Sequence, residues 1–294
     1  MATLVLFFDG IGVGRDDPET NPFAAIGARW LAPLAARAPV DGTCFRALDA
    51  TLGVPGLPQS ATGQTTLLTG VNAAKVLGAH AVGIPGPTLI PVIERESLFL
   101  KLAREGARPT FANAYTREHL EARRPRWSAT TRMVMSSGVP FRMLDREGRN
   151  GNALPHDYTG EWVRNKGWDT EPRDAISAAR VLLRILAEND LVLYEYFLTD
   201  LAGHRGKWDD KVVQALRVEA LIDAVISAAD LERDRIVVIS DHGNLEEGDH
   251  GRHTLNPAPV LAWGRDADAL VRRVDSMEAL TPALVDGVAS GSDE

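Results

Sequence analysis

The sequence predicts an α/β fold, in which a mostly parallel central sheet carries helices on both faces and a small cap is inserted. Two observations predict it: short apolar runs typical of buried strands recur along the chain, and segments of helical periodicity separate them. With 294 residues, the chain is long enough for two domains or one large α/β domain. Its 45% hydrophobic and 24% charged residues exclude disorder, collagen and coiled coil as the main architecture.

Five apolar runs are the predicted strands, and we expect them to be buried and parallel. They are short, and Gly or polar residues bound them, as strands in an α/β sheet require. The runs cover residues 3–8, 110–113, 191–198, 235–240 and, more weakly, 260–263.

Three segments between these runs have the apolar spacing of helices that cover a sheet. Residues 97–105 end at Gly106, which is a helix stop signal. In 172–188 the predicted buried face is Ile176, Ala179, Leu183 and Leu186. In 209–229 it is Val212, Ala215, Leu216, Leu221, Val225 and Ile226.

The segment 116–171 differs in composition from the rest, because it is rich in Arg, Trp, Gly and Asn and has no long apolar run. We interpret it as a small cap inserted into a core formed by residues 1–115 and 172–294. For most of its arginines a solvated surface is the expected role. Guanidinium groups also bind phosphate or carboxylate well, so one or two can grip an anionic substrate, with Arg117, Arg123 and Arg126 as candidates. The arginines in or near the cap are Arg117, Arg123, Arg124, Arg126, Arg132 and Arg142.

The overall charge argues against several classes of partner. With 32 basic and 40 acidic residues the net charge is −8, so the chain lacks the global field of a protein that binds nucleic acid or an anionic membrane. One cysteine excludes an intrachain disulfide and a cysteine-based metal cluster, so a metal site must use Asp, Glu and His. No apolar run spans a membrane, and the chain opens on a strand rather than a signal peptide, so we expect a cytoplasmic protein.

Three aspartates follow predicted strands, and strand ends are where ligands bind in α/β sheets. They are Asp9, Asp200 and Asp241. A single such aspartate is more often a helix cap or a turn residue. Three after parallel strands favour convergence of their carboxylates at one sheet edge.

Histidines accompany two of these aspartates. His204 lies four residues after Asp200, His242 is adjacent to Asp241, and His253 follows in His-Thr-Leu-Asn-Pro. Three carboxylates and three imidazoles are sufficient oxygen and nitrogen ligands for two divalent cations.

A candidate nucleophile lies in Pro58-Gln-Ser60-Ala-Thr-Gly, which reads as a loop before a helix that starts near Gly63. A hydroxyl there lies beside free backbone N–H groups and the positive end of the helix dipole, where a phosphoryl group binds well. The alternative is that Ser60 or Thr62 only caps the helix.

Five segments, in this order, resemble the alkaline phosphatase superfamily, and the nearest relatives are similar to cofactor-independent phosphoglycerate mutase and phosphopentomutase. They are FFDGIGVG at 7–14, SATG at 60–63, DLAGH at 200–204, DHGN at 241–244 and HTLNP at 253–257. The segment SATGQTTLLTG is also similar to nucleophile segments of sulfatases and nucleotide pyrophosphatases. Counting ten residues back from Gly70, as that resemblance implies, selects Ser60 as the nucleophile.

The resemblance implies an alkaline-phosphatase-like core that binds two divalent cations. One cation is expected on Asp200, His204 and His253. The other is expected on a set that includes the nucleophile: Asp9, Asp241, His242 and the Ser60 oxygen. His250 is a possible substitute for His253, and the remaining histidines match no motif and are expected to be ordinary surface or core residues: His80, His119 and His156.

The implied activity is two-metal phosphoryl transfer to a phosphoserine at Ser60, with Mn²⁺ or Zn²⁺ as the cation. We expect a phosphomonoester hydrolase acting on a small anionic phosphate ester, because the cap is smaller than those of the mutases. The alternatives are a phosphomutase of the phosphoglycerate or phosphopentose type and a non-catalytic module that metal stabilises. A sulfatase is disfavoured, since Thr62 and Gln64 stand where its Cys/Ser-x-Pro-x-Arg signature has Pro and Arg.

Overall fold

The computed structural model describes residues 1–123 and 126–289, and within them the strands form one large sheet and one small one. The strands of the large sheet coincide with most of the predicted apolar runs. In chain order the strands are β1 (Thr3–Phe8), β2 (Cys44–Leu48), β3 (Pro109–Phe111), β4 (Ala114–Tyr115), β5 (Arg142–Met143), β6 (Leu191–Tyr196), β7 (Arg235–Ile239) and β8 (Ala258–Gly264).

Helices of very different length connect the strands, and a 3₁₀ turn (Ala32–Ala35) and a π-helical turn (Leu144–Gly148) add to them. Among the described residues, none of these helices combines the length and the apolar character that crossing a bilayer requires. The α-helices are α1 (Pro22–Ala25), α2 (Ser60–Thr69), α3 (Ala73–Leu77), α4 (Ile90–Glu96), α5 (Leu98–Arg104), α6 (Arg117–Leu120), α7 (Ala129–Ser137), α8 (Glu161–Arg164), α9 (Ala175–Leu186), α10 (Leu198–Arg205), α11 (Trp208–Ala228), α12 (Ala267–Arg273) and α13 (Leu280–Ala289).

The large sheet has the order β2-β8-β7-β1-β6-β3, and its four strands from β7 to β3 are parallel. This confirms the predicted fold class. The expectation that residues 260–263 form another parallel strand was wrong, because β8 runs antiparallel to β7. No helix separates β7 from β8, and a parallel pair needs a long crossover whereas an antiparallel pair does not. The edge strand β2 was not predicted, and it pairs antiparallel to β8.

Both faces of the sheet are buried, because side chains along each strand alternate between two apolar clusters. Leu4, Leu6 and Phe8 of β1 point into the cluster that contains α9 and α11. Val5 and Phe7 point into the cluster that contains α2, α5, α7, α12 and α13. The central strand β1 is therefore covered on both sides, as a parallel sheet requires.

The predicted faces of two helices needed correction. On α9, the predicted Ala179 and Leu186 are buried, but Ile176 is 57% exposed, and the buried face also includes Ala178, Val181, Leu182 and Ile185. On α11, Leu216 is 51% exposed while its neighbour Ala215 is fully buried. Both helices have apolar residues on more than one stripe, so periodicity alone did not decide which stripe faces the sheet.

The segment 116–171 contains α6, α7, β5, the π-helical turn and α8. Met133 and Val134 of α7 are fully buried in the same cluster as Phe7. Strands β4 and β5 form the small two-stranded sheet beside them. Part of the segment thus packs directly on the core, and its description as a separate cap stays a prediction.

Helix α2 begins at Ser60 with Gln59 as its N-cap, three residues earlier than the predicted start at Gly63. Gly63 therefore lies inside the first turn, where the helix crosses the end of β7 at very short range. A Cβ atom on Gly63 would lie 2.6 Å from the backbone oxygen of Asp241. The absence of that atom lets Ser60 come close to the residues that follow β7.

The close approach at Gly63 predicts that a Gly-to-Ala substitution here changes the free energy of unfolding in the direction opposite to the usual one. Replacing Gly by Ala within a helix normally stabilises it by up to about 1 kcal/mol. We expect Gly63→Ala to destabilise the protein by about 2 kcal/mol, because a backbone carbonyl cannot move aside as a side chain can. Urea unfolding measures this difference, and an unchanged or increased free energy of unfolding would contradict the close packing.

Candidate metal centre

The candidate centre lies at the carboxyl ends of β1, β6 and β7. Asp9 directly follows β1, and Asp241 lies two residues after the end of β7. Asp200 does not end a strand as predicted: β6 ends at Tyr196, and Asp200 lies in the first turn of α10. Because Asp200 and His204 are four residues apart on this helix, they share one of its faces.

One cluster consists of Asp200, His204 and His253, as the sequence predicted. Oδ1 of Asp200 lies 3.4 Å from Nε2 of His204 and 3.4 Å from Nε2 of His253. The two Nε2 atoms are 2.9 Å apart. Three ligand atoms thus converge on one point, from two elements that are far apart in sequence.

A second cluster surrounds His242, which is fully buried. Its Nε2 atom lies 3.4 Å from Oδ1 of Asp9, 3.5 Å from Oδ2 of Asp241 and 3.0 Å from Oγ of Ser60. All four predicted members of this set are therefore together. Ligand atoms of Asp9, Asp200 and His242 also lie within 4.8 Å of one another, so Asp200 is within reach of both clusters.

The hydrogen bonds of the three imidazoles orient them for metal binding. Nδ1 of His253 lies 2.7 Å from the carbonyl oxygen of Pro58, and Nδ1 of His204 lies 2.9 Å from that of Gly251. Nδ1 of His242 lies 3.3 Å from the carbonyl oxygen of Gly243. A carbonyl only accepts hydrogen bonds, so each Nδ1 is the protonated nitrogen and each Nε2 keeps a lone pair for a ligand.

The carboxylates carry buried charge that the described residues do not neutralise. Oδ1 of Asp9 and Oδ2 of Asp241 are buried without a hydrogen-bond partner. Burial raises the pKa of Asp9 well above its ordinary value, and the negative charges of Asp241 and Asp200 raise it further. Burial also raises the pKa of Asp241.

Asp200 behaves differently. Burial by itself would raise the pKa of Asp200, but hydrogen bonding to His253 and the positive charge of His242, when these imidazoles are protonated, outweigh it and lower the pKa to about 2. Unpartnered carboxylate oxygens beside imidazole lone pairs fit divalent cations that accept oxygen and nitrogen ligands.

A buried glutamate that the sequence reasoning missed holds the motif segments together. Glu246 accepts hydrogen bonds from the backbone N–H groups of Gly12 and Asn244, each at 2.8 Å. It also accepts from Oγ1 of Thr254 at 2.6 Å and Nδ2 of Asn256 at 3.0 Å. One carboxylate thus joins the loop after β1, the DHGN segment and the HTLNP segment. The sequence feature that could have identified Glu246 is its position two residues after Asn244, the last residue of the DHGN segment.

Two amide side chains beside the ligands were also missed. Nε2 of Gln64 donates to Oδ2 of Asp9 at 3.1 Å, one helical turn after Ser60. Nδ2 of Asn244 donates to Oδ1 of Asp200 at 2.7 Å. Gly203 permits this contact, because a Cβ atom there would lie 2.5 Å from the Asn244 side chain.

A cavity of about 940 Å³ opens from this centre toward residues 114–168. At the centre it is lined by Asp9, Ser60 and Asp200. Its opposite wall is largely aromatic, and two histidines that were expected to be ordinary surface or core residues belong to it. The wall includes Tyr115, His119, His156, Trp162, Trp168 and Phe197.

Of the substrate-binding candidates, Arg126 lines the cavity. Arg117 forms a 3.9 Å ion pair with Asp145, and Arg123 is exposed. Arg142 donates to the backbone oxygen of Asn152, and Arg132 lies against the ring of Trp127. Arg124 lies outside the described residues.

The other two histidines lie apart from the two clusters. Nδ1 of His80 is 3.3 Å from Oγ1 of Thr62. His250 pairs with Glu247 at 3.0 Å and forms a separate surface group with Glu247 and Asp249.

Comparisons with known proteins find a matching family model, partial sequence similarity and similar folds. The family model described as Metalloenzyme superfamily matches residues 161–286, which include α10, DHGN and His253. A 2,3-bisphosphoglycerate-independent phosphoglycerate mutase of Paracoccus denitrificans (strain Pd 1222) is 28% identical over 116 residues, which are 37% of this chain and 23% of that mutase. The chain thus spans less than a quarter of this relative's length.

The fold comparison covers nearly the whole chain. The PH0037 protein from Pyrococcus horikoshii superposes with a TM-score of 0.57 at 14% identity, covering 100% of this chain and 98% of that chain. Alkaline phosphatase from the Antarctic bacterium TAB5 also gives a TM-score of 0.57, at 11% identity, covering 99% of this chain and 98% of that chain. The resemblance stated from the motifs is confirmed.

Because Glu246 joins three segments of the site, we predict that removing its carboxylate greatly lowers the free energy of unfolding. Glu246→Ala leaves two backbone N–H groups and two side-chain donors without their charged acceptor, so we expect a loss of about 3 kcal/mol or more in the free energy of unfolding. Glu246→Gln keeps the shape and should lose less. Denaturant unfolding measures both, and an effect of Glu246→Ala below about 0.5 kcal/mol would contradict this role.

The buried charge of Asp9 predicts that Asp9→Asn has opposite effects on the free energy of unfolding in the absence and in the presence of metal. In metal-free protein, Asp9→Asn removes a repelled charge and should raise the free energy of unfolding by about 1 kcal/mol. With saturating Mn²⁺ or Zn²⁺ the wild type should gain about 2.7 kcal/mol at 100 times the dissociation constant, whereas Asp9→Asn should gain much less.

Thermal or urea unfolding with and without metal tests this sign reversal. Asp41→Asn, which removes a charge from an exposed turn, is the matched control and should change neither value. A loss of stability for Asp9→Asn in both states would overturn the interpretation.

Proposed function

We propose that this chain, a metalloenzyme of the alkaline phosphatase superfamily with partial similarity to the phosphoglycerate mutases, is a phosphomonoester hydrolase that acts through a phosphoserine at Ser60. The observation that carries the proposal is the convergence of the Ser60 hydroxyl on the second cluster, 3.0 Å from Nε2 of His242. The proposed substrate is a small anionic phosphate ester, and no nucleic-acid or membrane partner is proposed.

Two divalent cations, Mn²⁺ or Zn²⁺, are the proposed cofactors. Asp200, His204 and His253 would hold one, and Asp9, Asp241, His242 and the Ser60 oxygen the other. When bound, such ions stabilise a serine alkoxide and the charge of the phosphoryl oxygens. Mn²⁺ is favoured by the resemblance to the mutases.

The chain's own residues supply the nucleophile and its placement. Ser60 is the first residue of α2, so a phosphoryl group on its oxygen would lie at the positive end of that helix. Oγ of Ser60 attacks phosphorus, the ester bond to the leaving alcohol breaks, and water later cleaves the phosphoserine. Gln64 holds Asp9 in position through this cycle.

A phosphomutase is the second candidate, and the similarity to phosphoglycerate mutases supports it. In that case the acceptor of the phosphoryl group is a hydroxyl of the retained product instead of water. We favour the hydrolase because the predicted cap, residues 116–171, is short, and excluding water from the site requires closure of the cavity. We also propose that the protein is cytoplasmic.

A substrate panel separates these possibilities. Metal-loaded protein is incubated with aryl, sugar and glycerate phosphates, and phosphate release is measured beside isomer formation. A hydrolase releases phosphate, a mutase forms the isomer, and a non-catalytic module gains stability with metal but does neither.

We predict that Ser60→Ala lowers turnover of every accepted ester by at least about 10⁴-fold, because the activated nucleophile is missing. Mass spectrometry of the acid-quenched wild type should find phosphate on the peptide that contains Ser60. Thr62→Ala is the control, since its hydroxyl donates to the backbone oxygen of Gln59. Full activity of Ser60→Ala would falsify the phosphoserine mechanism.

A further inference from the structure

Strand β6, which lies between β1 and the edge strand β3, carries an acidic residue that the proposed mechanism does not yet use. Glu195 is 4% exposed, and all six residues of β6 are buried. An ionised carboxylate in such a place costs several kcal/mol unless specific partners compensate for it. Its neighbours in the strand are apolar or aromatic, so packing does not require a glutamate here.

The backbone of Glu195 is hydrogen-bonded to the side chain of Asn113, at a level of the sheet that the neighbouring strand does not reach. The neighbouring strand β3 ends at Phe111, two residues before the level of Glu195. Beyond that end, Oδ1 of Asn113 accepts from the Glu195 N–H at 2.8 Å, and Nδ2 of Asn113 donates to the Glu195 carbonyl at 2.7 Å. The buried amide therefore continues the ladder and holds Glu195 at the sheet edge.

The Glu195 carboxylate has two partners from the segment 116–171. Oγ1 of Thr130 donates to its Oε2 atom at 2.8 Å, and Nε2 of His156 lies 3.4 Å from the same atom. Both Glu195 and His156 line the cavity that contains Ser60 and Asp9. Glu195 is the register partner of Phe7 on the neighbouring strand β1. Because paired residues point to the same face of a sheet, Glu195 lies on the face that α2 and Ser60 cover.

The surroundings of His156 orient its ring. Phe111, Tyr115 and Phe197 enclose it, with ring centroids 5.4 to 6.2 Å away. With Nε2 directed at Glu195, Nδ1 is the nitrogen left for a ligand, and within the described residues it forms no hydrogen bond. An imidazole with one nitrogen beside a buried carboxylate and the other free is an arrangement suited to a general acid or base.

The pKa values of two titratable side chains beside His156 are shifted toward their neutral forms. Burial lowers the pKa of His119, and the charge of His156 lowers it further. Burial raises the pKa of Tyr115, and the negative charge of Glu195 adds to this shift, so its phenol stays neutral. The Tyr115 hydroxyl is engaged with Oγ1 of Thr131 at 2.9 Å. Glu195 is thus the carboxylate that faces His156, and the shifts of the other two pKa values favour neutral His119 and Tyr115.

We propose that His156 is the general acid that protonates the leaving alcohol, and that Glu195 is the residue that positions it. The inference rests on the proposed function. As the bond from Ser60 Oγ to phosphorus forms and the ester bond breaks, the electron pair passes to the leaving oxygen, which takes the proton from Nδ1 of His156. In the second half-reaction, the attacking water gives a proton to Nδ1, its oxygen bonds to phosphorus, and Ser60 leaves as the alkoxide.

The dependence on the leaving group tests this role. An alkyl phosphate expels a strongly basic alkoxide and needs the acid, whereas 4-nitrophenyl phosphate expels a weakly basic phenolate and does not. His156→Gln should lower kcat/KM for the alkyl ester by about 100-fold or more, and for 4-nitrophenyl phosphate by less than about 3-fold. Glu195→Gln should show the same selectivity, and Glu195→Asp, which keeps a carboxylate, should restore part of the alkyl activity.

The matched control is Asp268→Asn, which removes an exposed carboxylate paired with Arg272 outside the cavity lining. It should change neither substrate's kcat/KM. Equal losses on both esters for His156→Gln would assign the pair a structural role and overturn the proposal. If the metal-loaded wild type turns over neither ester, the proposed function itself fails, and the role of the pair fails with it.

A second readout needs no turnover. In metal-free protein with ¹⁵N-labelled imidazoles, the neutral form of His156 should carry its proton on Nε2, with the signal assigned by its loss in His156→Gln. A neutral form protonated on Nδ1 would overturn the proposal, because that nitrogen must be able to accept the proton from water.

Discussion

The main constraint on this structure is the electrostatic repulsion among three aspartates that lie close together in the candidate metal centre. Asp9 and Asp241 follow β1 and β7, Asp200 comes from the first turn of α10, and burial together with mutual repulsion raises the pKa of Asp9 and Asp241. Like charges at this distance in a poorly solvated site oppose folding unless cations or protons neutralise them. In their neutral forms, the imidazoles that face the same point can bind cations through their Nε2 lone pairs. The net charge of −8 therefore does not describe the local field, because two bound cations would make the site attractive to an anionic ester.

Such a site needs a rigid frame, and backbone groups supply much of it. The carbonyl oxygens of Pro58, Gly251 and Gly243 hold the three imidazoles, and Glu246 joins the loops that carry the ligands. Glycine occurs where backbone and side chains approach too closely for a Cβ atom. At Gly10 the φ angle is +72°, and a Cβ atom would lie 2.7 Å from Oδ1 of Asp200. The arrangement of the site is thus supported by the loops that carry its residues.

The cavity joins two different chemical environments. At one end the carboxylates, imidazoles and Ser60 suit an anionic phosphoryl group. The other end is aromatic and contains the His156–Glu195 pair, so it suits the organic part of the ester and the oxygen that leaves with it. In our proposals, the first end provides the phosphoryl transfer common to hydrolases and mutases, and the second end decides which esters react and what accepts the phosphoryl group.

The sequence by itself determined the parallel strands of the core, because continuous apolar runs and a terminal aspartate are local features. It also predicted, through the resemblance of its short motifs to a known superfamily, which residues the structure brings together around His242 and His253. Only the tertiary structure decided the direction of β8, the buried faces of α9 and α11, the position of Asp200 within reach of both clusters, and the pairing of Glu195 with His156. These features depend on which distant segments pack together: the strand direction on the connection between strands, the helix face on the neighbouring sheet, and the buried pair on contacts between residues far apart along the chain.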